Sequence, residues 1–151
     1  MTRKSTDIAA LLLRLAAGLI FLPHGWSKVL GEGGPAAFAS DLPSFGIPVF
    51  LGYVAAYAEL VGAALLIVGF LTRLDAFLLA CTMAVAIFAV KLPDARAEIQ
   101  PGAIKLFAIL RGIELELALF TICAALVLIG AGRFSVDAAL RLEERFTKKT
   151  M

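Results

Sequence analysis

Four long apolar runs dominate the chain, and glycine, proline and charged residues separate them. A membrane-spanning helix needs about 20 predominantly apolar residues, and residues 7–28, 48–70, 74–92 and 112–131 meet that length. The runs are continuous and far longer than the alternating strands of a membrane β-barrel. The pattern therefore predicts an all-α fold, an integral membrane four-helix bundle formed by residues 1–151 as a single domain.

The connections between the runs predict short additional elements. Residues 35–42 predict a short interfacial helix with Pro35 at its first position. Residues 104–110 predict a second amphipathic piece at the membrane interface. The tail, residues 135–151, is predicted to begin with an exposed helix after Ser135 and to end in a basic stretch.

Composition supports a membrane location. Of the 151 residues, 61% are apolar and 17% charged, with a mean hydropathy of +0.93, whereas soluble domains are about 45–50% apolar and about 25% charged. A chain this small cannot hide so much apolar surface from water, so the excess is expected to face lipid. This excludes an ordinary cytosolic enzyme, a disordered tail and a disulfide-stapled secreted module.

The distribution of basic residues predicts the orientation. The side that holds both termini and the turn near Arg73 carries eight Lys and Arg residues, and the other side carries five. Cytoplasmic segments carry the excess of Lys and Arg, so both termini are predicted in the cytoplasm. No basic stripe with interleaved aromatic residues appears, and nucleic acid is not an expected partner.

Ionisable residues inside the spans are the candidate functional residues, because they are costly in a bilayer. On the first helix, Arg14, Ala17, Phe21, His24 and Lys28 are spaced by 3, 4, 3 and 4 positions. This spacing places them on one stripe, which is expected to face the bundle interior.

The second helix carries a single carboxylate, Glu59, in a seam of small residues that includes Gly52, Gly62 and Gly69. Small residues let membrane helices approach closely, so Glu59 is predicted on a packing face. Counting about 1.5 Å per residue from the same membrane side makes a pair between Arg14 and Glu59 feasible. That pair is interpreted either as a structural lock or as a proton or ligand site.

A second polar group is predicted near the outer ends of the helices, where His24, Lys28 and Lys91 meet Glu114 and Glu116. Glu114 and Glu116 are about 200° apart around a helix, and Glu116 is the one expected to face inward because it lies deeper. His24, the only histidine, is either a hydrogen-bonded structural residue or a ligand-binding and proton-handling group.

The chain contains no complete catalytic constellation. It has no repeated Glu-x-x-His, no zinc cluster, no phosphate-binding loop and no nucleophile with an evident base. Cys81 and Cys123 lie in apolar runs and form no CxxC motif. No intrinsic cofactor and no metal site are predicted, so any catalysis would need a cofactor or electrons from a partner.

The ordered motifs resemble those of DoxX-like membrane proteins. The first helix contains RLAAGLIFLPHGWSKVLG, the second contains AELVGAALLIVGFLTR, and the fourth contains ELAL followed by GAGRFSVD. The loop before the fourth helix, LPDARAEIQPGAIK, is more charged than the pattern leads one to expect.

The resemblance implies a four-helix protein of the bacterial inner membrane, of a kind described as redox-linked. It also implies which polar residues matter. The ligand-binding set is His24, Lys28, Glu116, Arg14 and Glu59, and the structural polar pairs are drawn from Arg14, Glu59, Arg73 and Asp137.

Three functions are compatible with the sequence. The first is a redox-associated accessory subunit, part of a membrane oxidoreductase, that binds a quinone-like lipophilic ligand. The second is a small-molecule transporter with Arg14 and Glu59 lining the path. The third is a purely structural or assembly subunit. The expected partners are the lipid bilayer and a redox enzyme or other membrane subunit, and the small-residue faces leave room for a homo-oligomer.

Overall fold

The computed structural model describes residues 3–97 and 105–140. Four helices in these ranges are long and apolar enough to cross a membrane, which confirms the predicted all-α bundle. The helices are α1 (Arg3–Leu30), α2 (Gly34–Asp41), α3 (Val49–Val68), α4 (Thr72–Val85), α5 (Leu92–Ala97), α6 (Lys105–Ile129) and α7 (Val136–Ala139), with a 3₁₀ turn at Leu42–Phe45 and a π-helical segment at Ala86–Lys91.

Glycine and proline set the ends of the first two spans. α1 ends at Leu30, directly before Gly31, and α3 begins directly after Pro48. Gly69 closes α3 in the left-handed conformation, with φ of 72°, and its N–H donates to the carbonyls of Leu65 and Leu66. A glycine takes up this backbone conformation without steric cost, which is why it commonly ends a helix.

The third and fourth spans are longer than predicted. The third continues through the π segment into α5, so that the span runs from Thr72 to Arg96. Pro93 does not end it: the helix continues past Pro93 to Ala97. The separate amphipathic piece predicted at residues 104–110 is wrong: residues from Lys105 onward are the first turns of α6, and residue 104 lies outside the described residues.

Helices α1, α3, α4 and α6 form a closed ring. α1 packs on α3, α3 on α4, α4 on α6, and α6 returns to α1. The hydrophobic core between them includes Phe21, Leu66 and Leu126, each 1% exposed or less. Large apolar side chains such as Phe88 and Leu128 are 71% and 78% exposed on the outside, as expected of a surface that faces lipid.

Two glycines set the register between α1 and α3, which run antiparallel. A Cβ built on Gly18 would lie 2.9 Å from the Ala63 carbonyl, and one built on Gly25 would lie 2.6 Å from the Leu60 Cα. Positions 18 and 25 therefore have no room for a side chain, and the backbones of α1 and α3 are in contact along this seam. We call the bundle end that holds the start of α1, the 69–72 turn and α7 the termini-side end, and the end that holds α2 and α5 the loop-side end.

α2 and the 3₁₀ turn close the loop-side end. α2 confirms the predicted short helix but begins at Gly34, one residue before the predicted first position at Pro35, and packs on α3 and α1. A Cβ built on Gly52 of α3 would lie 2.7 Å from the Ala39 Cα. This close contact holds α2 against the bundle as an outer wall.

Candidate ligand-binding site

A buried ion pair joins α1 to α3 near the loop-side end. Lys28 Nζ lies 2.6 Å from both Oε1 and Oε2 of Glu59. The Glu59 side chain is 3% exposed and that of Lys28 is 24% exposed. The pair lies one turn beyond Gly25, where the two helix backbones come closest. A buried carboxylate needs a partner of opposite charge, and Lys28 is that partner.

The predicted pair between Arg14 and Glu59 is therefore wrong. Arg14 lies beside Gly69, where its Nη1 fills the space that a side chain at that position would take. Gly69 is ten residues from Glu59 along α3, which is about 15 Å at 1.5 Å per residue. The prediction treated the helices as starting level in the membrane, but α1 extends past α3 at the termini-side end and packs there against the region of Gly132.

An aromatic ring completes the surroundings of the Lys28 ammonium. Lys28 Nζ lies 4.5 Å from the centre of the Phe38 ring, which α2 supplies. A cation over an aromatic face is attracted by about 0.5–2 kcal/mol, and more strongly when it is desolvated. Lys28 thus links α1, α2 and α3 at one point, and any movement of α2 changes the environment of the ion pair.

The ion pair forms part of the wall of a cavity of about 410 Å³. α1, α2, the 3₁₀ turn, α3, α4, the π segment and α6 all contribute to the lining. Most of the lining is apolar and aromatic, as with Phe21, Phe38 and Phe45, and a few charged groups converge on it. Small-molecule sites are cavities of about 300–1,000 Å³ with this kind of lining, so the cavity is the candidate ligand site.

A second, looser ion pair lies on another wall of the cavity. Lys91 Nζ is 3.7 Å from Glu116 Oε1, and the two side chains are 47% and 16% exposed. Lys91 is the last residue of the π segment. A π-helical turn inserts a residue and re-aims the side chains around it, and such turns are frequent at functional sites.

The structure places the remaining predicted outer residues as follows. His24 lines the cavity, although its side chain is exposed overall. Glu116 faces the cavity and Glu114 is exposed, which agrees with the depth argument. The cavity thus brings together four members of the predicted ligand set: His24, Lys28, Glu59 and Glu116.

Arg14, the fifth member, lies outside that cavity. Its guanidinium is fully buried at the termini-side end, and its Nη2 donates to the Phe134 carbonyl. Nε and Nη1 have no hydrogen-bond partner among the described residues. Arg14 therefore fixes α1 to the segment after α6.

Asp137 also has a definite structural role at this end. Its Oδ1 and Oδ2 accept from the backbone N–H groups of Leu71 and Thr72, at 2.7 and 2.8 Å. The carboxylate caps the first turn of α4, where unpaired N–H groups and the helix dipole favour negative charge. Arg73 donates to the Val127 carbonyl at 2.7 Å, and a direct pair between Arg73 and Asp137 stays a prediction.

Sequence reasoning missed two carboxylates. Asp41 lines the cavity from the end of α2, and Asp75 is 5% exposed inside the bundle. Asp41 gave no signal because its segment was taken as interfacial. Asp75 could have been found from the sequence, because it is an ionisable residue inside an apolar run, and such residues are functional candidates by default.

The fold and site define a class: a small multi-pass membrane protein with a charged cavity at one end of a four-helix bundle. The family model of DoxX matches residues 9–92, more than half of the chain. The chain belongs to the DoxX family. The matched region includes His24, Lys28, Glu59 and Asp75, and ends before Glu116.

A curated relative supports this assignment. The Bacillus subtilis protein named "Putative oxidoreductase CatD" is 44% identical over 89 residues. The match covers 59% of this chain and 64% of CatD, so it spans less than two thirds of the relative. No solved structure matches the chain.

Proposed function

We propose that this DoxX-family protein is a redox-associated accessory subunit of the bacterial inner membrane, and that its cavity binds a quinone-like lipophilic ligand. The observation that carries the proposal is the Lys28–Glu59 pair in the wall of an apolar, aromatic cavity of about 410 Å³. The name of the relative CatD points to the same kind of chemistry.

The lining residues suit a quinone head group. Quinone carbonyls accept hydrogen bonds, and the Lys28 ammonium and the His24 imidazole are donors. Phe21, Phe38 and Phe45 line the cavity with aromatic side chains, against which a flat ring can pack. A cavity of this size holds one ring and the start of an apolar tail, while the rest of the tail lies in the bilayer.

Charged groups at the site suit proton transfer to such a ligand. Reduction of a quinone to a quinol consumes two electrons and two protons. The chain has no electron-carrying group of its own in this proposal, so a partner redox enzyme supplies the electrons. Glu116 and His24 are the groups that deliver protons, because both line the cavity and are less buried than Glu59.

A titration tests the proposal. The purified full chain is titrated with decylubiquinone while the fluorescence of Trp26, the only tryptophan, is recorded. We expect a saturable quench that Glu116→Gln and His24→Ala weaken about tenfold or more, equivalent to about 1.4 kcal/mol. Glu114→Gln is the matched control, since it removes an exposed carboxylate of the same helix. A quench without saturation, or one that all three variants leave unchanged, would overturn the proposal.

A further inference from the structure

The termini-side end of the bundle contains a buried carboxylate that the proposed ligand site does not use. Asp75, on α4, is 5% exposed, and its Oδ2 has no hydrogen-bond partner among residues 3–97 and 105–140. Its carboxylate packs against α3: a Cβ built on Gly62 would lie 2.7 Å from Asp75 Oδ1. Gly62 thus makes the room that the carboxyl group fills.

No cation within 4 Å balances Asp75 in the described part of the chain. From α3 the neighbouring residue is Gly62, which is uncharged, and from α6 it is the Cys123 thiol, which is fully buried. The buried cation at this end, Arg14 on α1, contacts Phe134 and acts electrostatically on Asp137.

Asp137, at the same end, is a carboxylate with partners and can be compared with Asp75. It receives two backbone N–H groups at 2.7 and 2.8 Å and lies within electrostatic reach of Arg14. Both oxygens of Asp137 are therefore hydrogen-bonded. In the described part of the chain, Asp75 Oδ2 has no hydrogen-bond partner and no cation lies within 4 Å of the carboxylate, and an isolated ionised carboxylate in an apolar interior is so costly that such a group neutralises instead.

We propose that Asp75 is a buried proton-binding site, which holds its proton at neutral pH at the contact of α3, α4 and α6. The Thr72 hydroxyl is a second buried polar group on this part of α4. It lies one turn before Asp75 on the same face of α4, is fully buried, and has no partner among the described residues. A protonated carboxyl group is neutral, so protonation removes the unpaired charge that an ionised Asp75 would place in this interior.

Protonation at Asp75 is coupled to the closure of the bundle. The unfolded carboxyl group ionises above about pH 4 in water, whereas ionisation in the folded state leaves an unpaired charge between α3, α4 and α6. The folded state then binds one proton more than the unfolded state. Raising the pH therefore favours the unfolded state, by up to tenfold in the unfolding equilibrium for each pH unit.

Paired variants of the full chain in detergent test the site. Asp75→Asn keeps the shape of the neutral acid, and Asp137→Asn is the matched control at the same end of the bundle. Between about pH 5 and pH 8, we expect the wild type to lose stability relative to Asp75→Asn as the pH rises. Asp137→Asn is expected to melt lower than the wild type across this range and to keep the wild-type dependence on pH. An Asp75→Asn variant with the wild-type dependence would overturn the proposal.

Infrared spectroscopy of the wild type gives a readout that needs no variant. A protonated carboxyl group has its own C=O stretching band, which shifts in deuterated water. We expect that band at neutral pH, and we expect Asp75→Asn to lack it. A wild-type spectrum without the band, or a band that Asp75→Asn retains, contradicts the assignment. This test is independent of quinone binding, so failure of one proposal does not imply failure of the other.

Discussion

At the scale of single residues, the Lys28–Glu59 pair is an asymmetric interaction. Glu59 is on the tightly packed seam of α3, with a side chain 3% exposed, whereas Lys28 is 24% exposed and has a flexible stem. A long basic side chain near a helix end can redirect its charge toward the membrane surface. The shorter, buried Glu59 side chain cannot redirect its charge in this way. Loss of the lysine is therefore more costly to the carboxylate than loss of the carboxylate is to the lysine.

This asymmetry predicts the order of three variants. Lys28→Met leaves a buried carboxylate without a cation and is expected to lower the free energy of unfolding by about 3–5 kcal/mol. Glu59→Gln is expected to cost less, because the freed ammonium can move outward. The double variant is expected to regain part of the loss of Lys28→Met. Thermal unfolding in detergent measures all three, and strictly additive losses would show that the two groups do not interact.

Residue chemistry explains which parts of the site could be predicted. The stripe on α1 and the seam on α3 follow from helical spacing alone, so the inward positions of Phe21, Lys28 and Glu59 were predictable. The partner of Glu59 in the ion pair could not be predicted from that spacing. It depends on how far α1 is shifted along α3, and the close contacts at Gly18 and Gly25 set that shift. A 3–4 spacing gives the face of a helix but not its axial position relative to a neighbour.

At the scale of elements, α2 and the 3₁₀ turn form a wall of the cavity that is attached mainly to α3. Phe38, Asp41, Leu42 and Phe45 all line the cavity from this segment. Its contact with α3 at Gly52 and Ala39 is backbone-close. The wall therefore stays in position only while position 52 has no side chain.

Gly52→Val is predicted to displace this wall. The added side chain meets the Ala39 Cα and Cβ, at 2.7 and 2.8 Å from its Cβ, so α2 must move away and Phe38 leaves Lys28. We expect decylubiquinone binding to weaken about tenfold or more, equivalent to about 1.4 kcal/mol, and amide exchange in residues 34–45 to increase. Ala64→Val is the control, because it enlarges an exposed position of the same helix, α3, on the side away from α2. Unchanged binding in Gly52→Val would show that α2 is not a functional wall.

Elements also show where periodicity stops being informative. The π segment at Ala86–Lys91 lies in an apolar run whose pattern predicts an ordinary α-helix. Neither the presence of the segment nor the direction of the Lys91 side chain was therefore predictable. Pro93 suggested an end to the third helix, yet the helix continues past it to Ala97, directly after the π segment. The start of the fourth helix was placed too late because residues 104–110 were taken as a separate amphipathic piece, although no proline interrupts residues 105–129.

At the scale of the whole molecule, the bundle has two chemically distinct ends. The loop-side end has the cavity and two ion pairs. The termini-side end has buried polar groups that fix helix ends, together with the proton site proposed at Asp75. The hydrophobic core between them includes Leu66, Leu79 and Leu126, and it separates the ligand site from the opposite membrane surface.

The count of basic residues predicts the orientation of these ends. With eight Lys and Arg residues on the termini side and five on the other, the termini-side end is expected in the cytoplasm. The cavity then opens near the outer leaflet. A green fluorescent protein fused after residue 151 is expected to fluoresce, and alkaline phosphatase fused at the same position is expected to be inactive. The reverse pattern would show that the cavity faces the cytoplasm.

The central claim is that the cavity beside Lys28 and Glu59 holds a quinone-like ligand, and photolabelling tests it most directly. The full chain in native-like lipid is irradiated with an azido-quinone, and the labelled peptides are identified by mass spectrometry. The account predicts label on peptides that contain residues 21–28, 38–47 or 82–91, suppressed by excess decylubiquinone and reduced in Lys28→Met. Label confined to outward apolar residues such as Phe107 and Leu128, and insensitive to competitor, would contradict it.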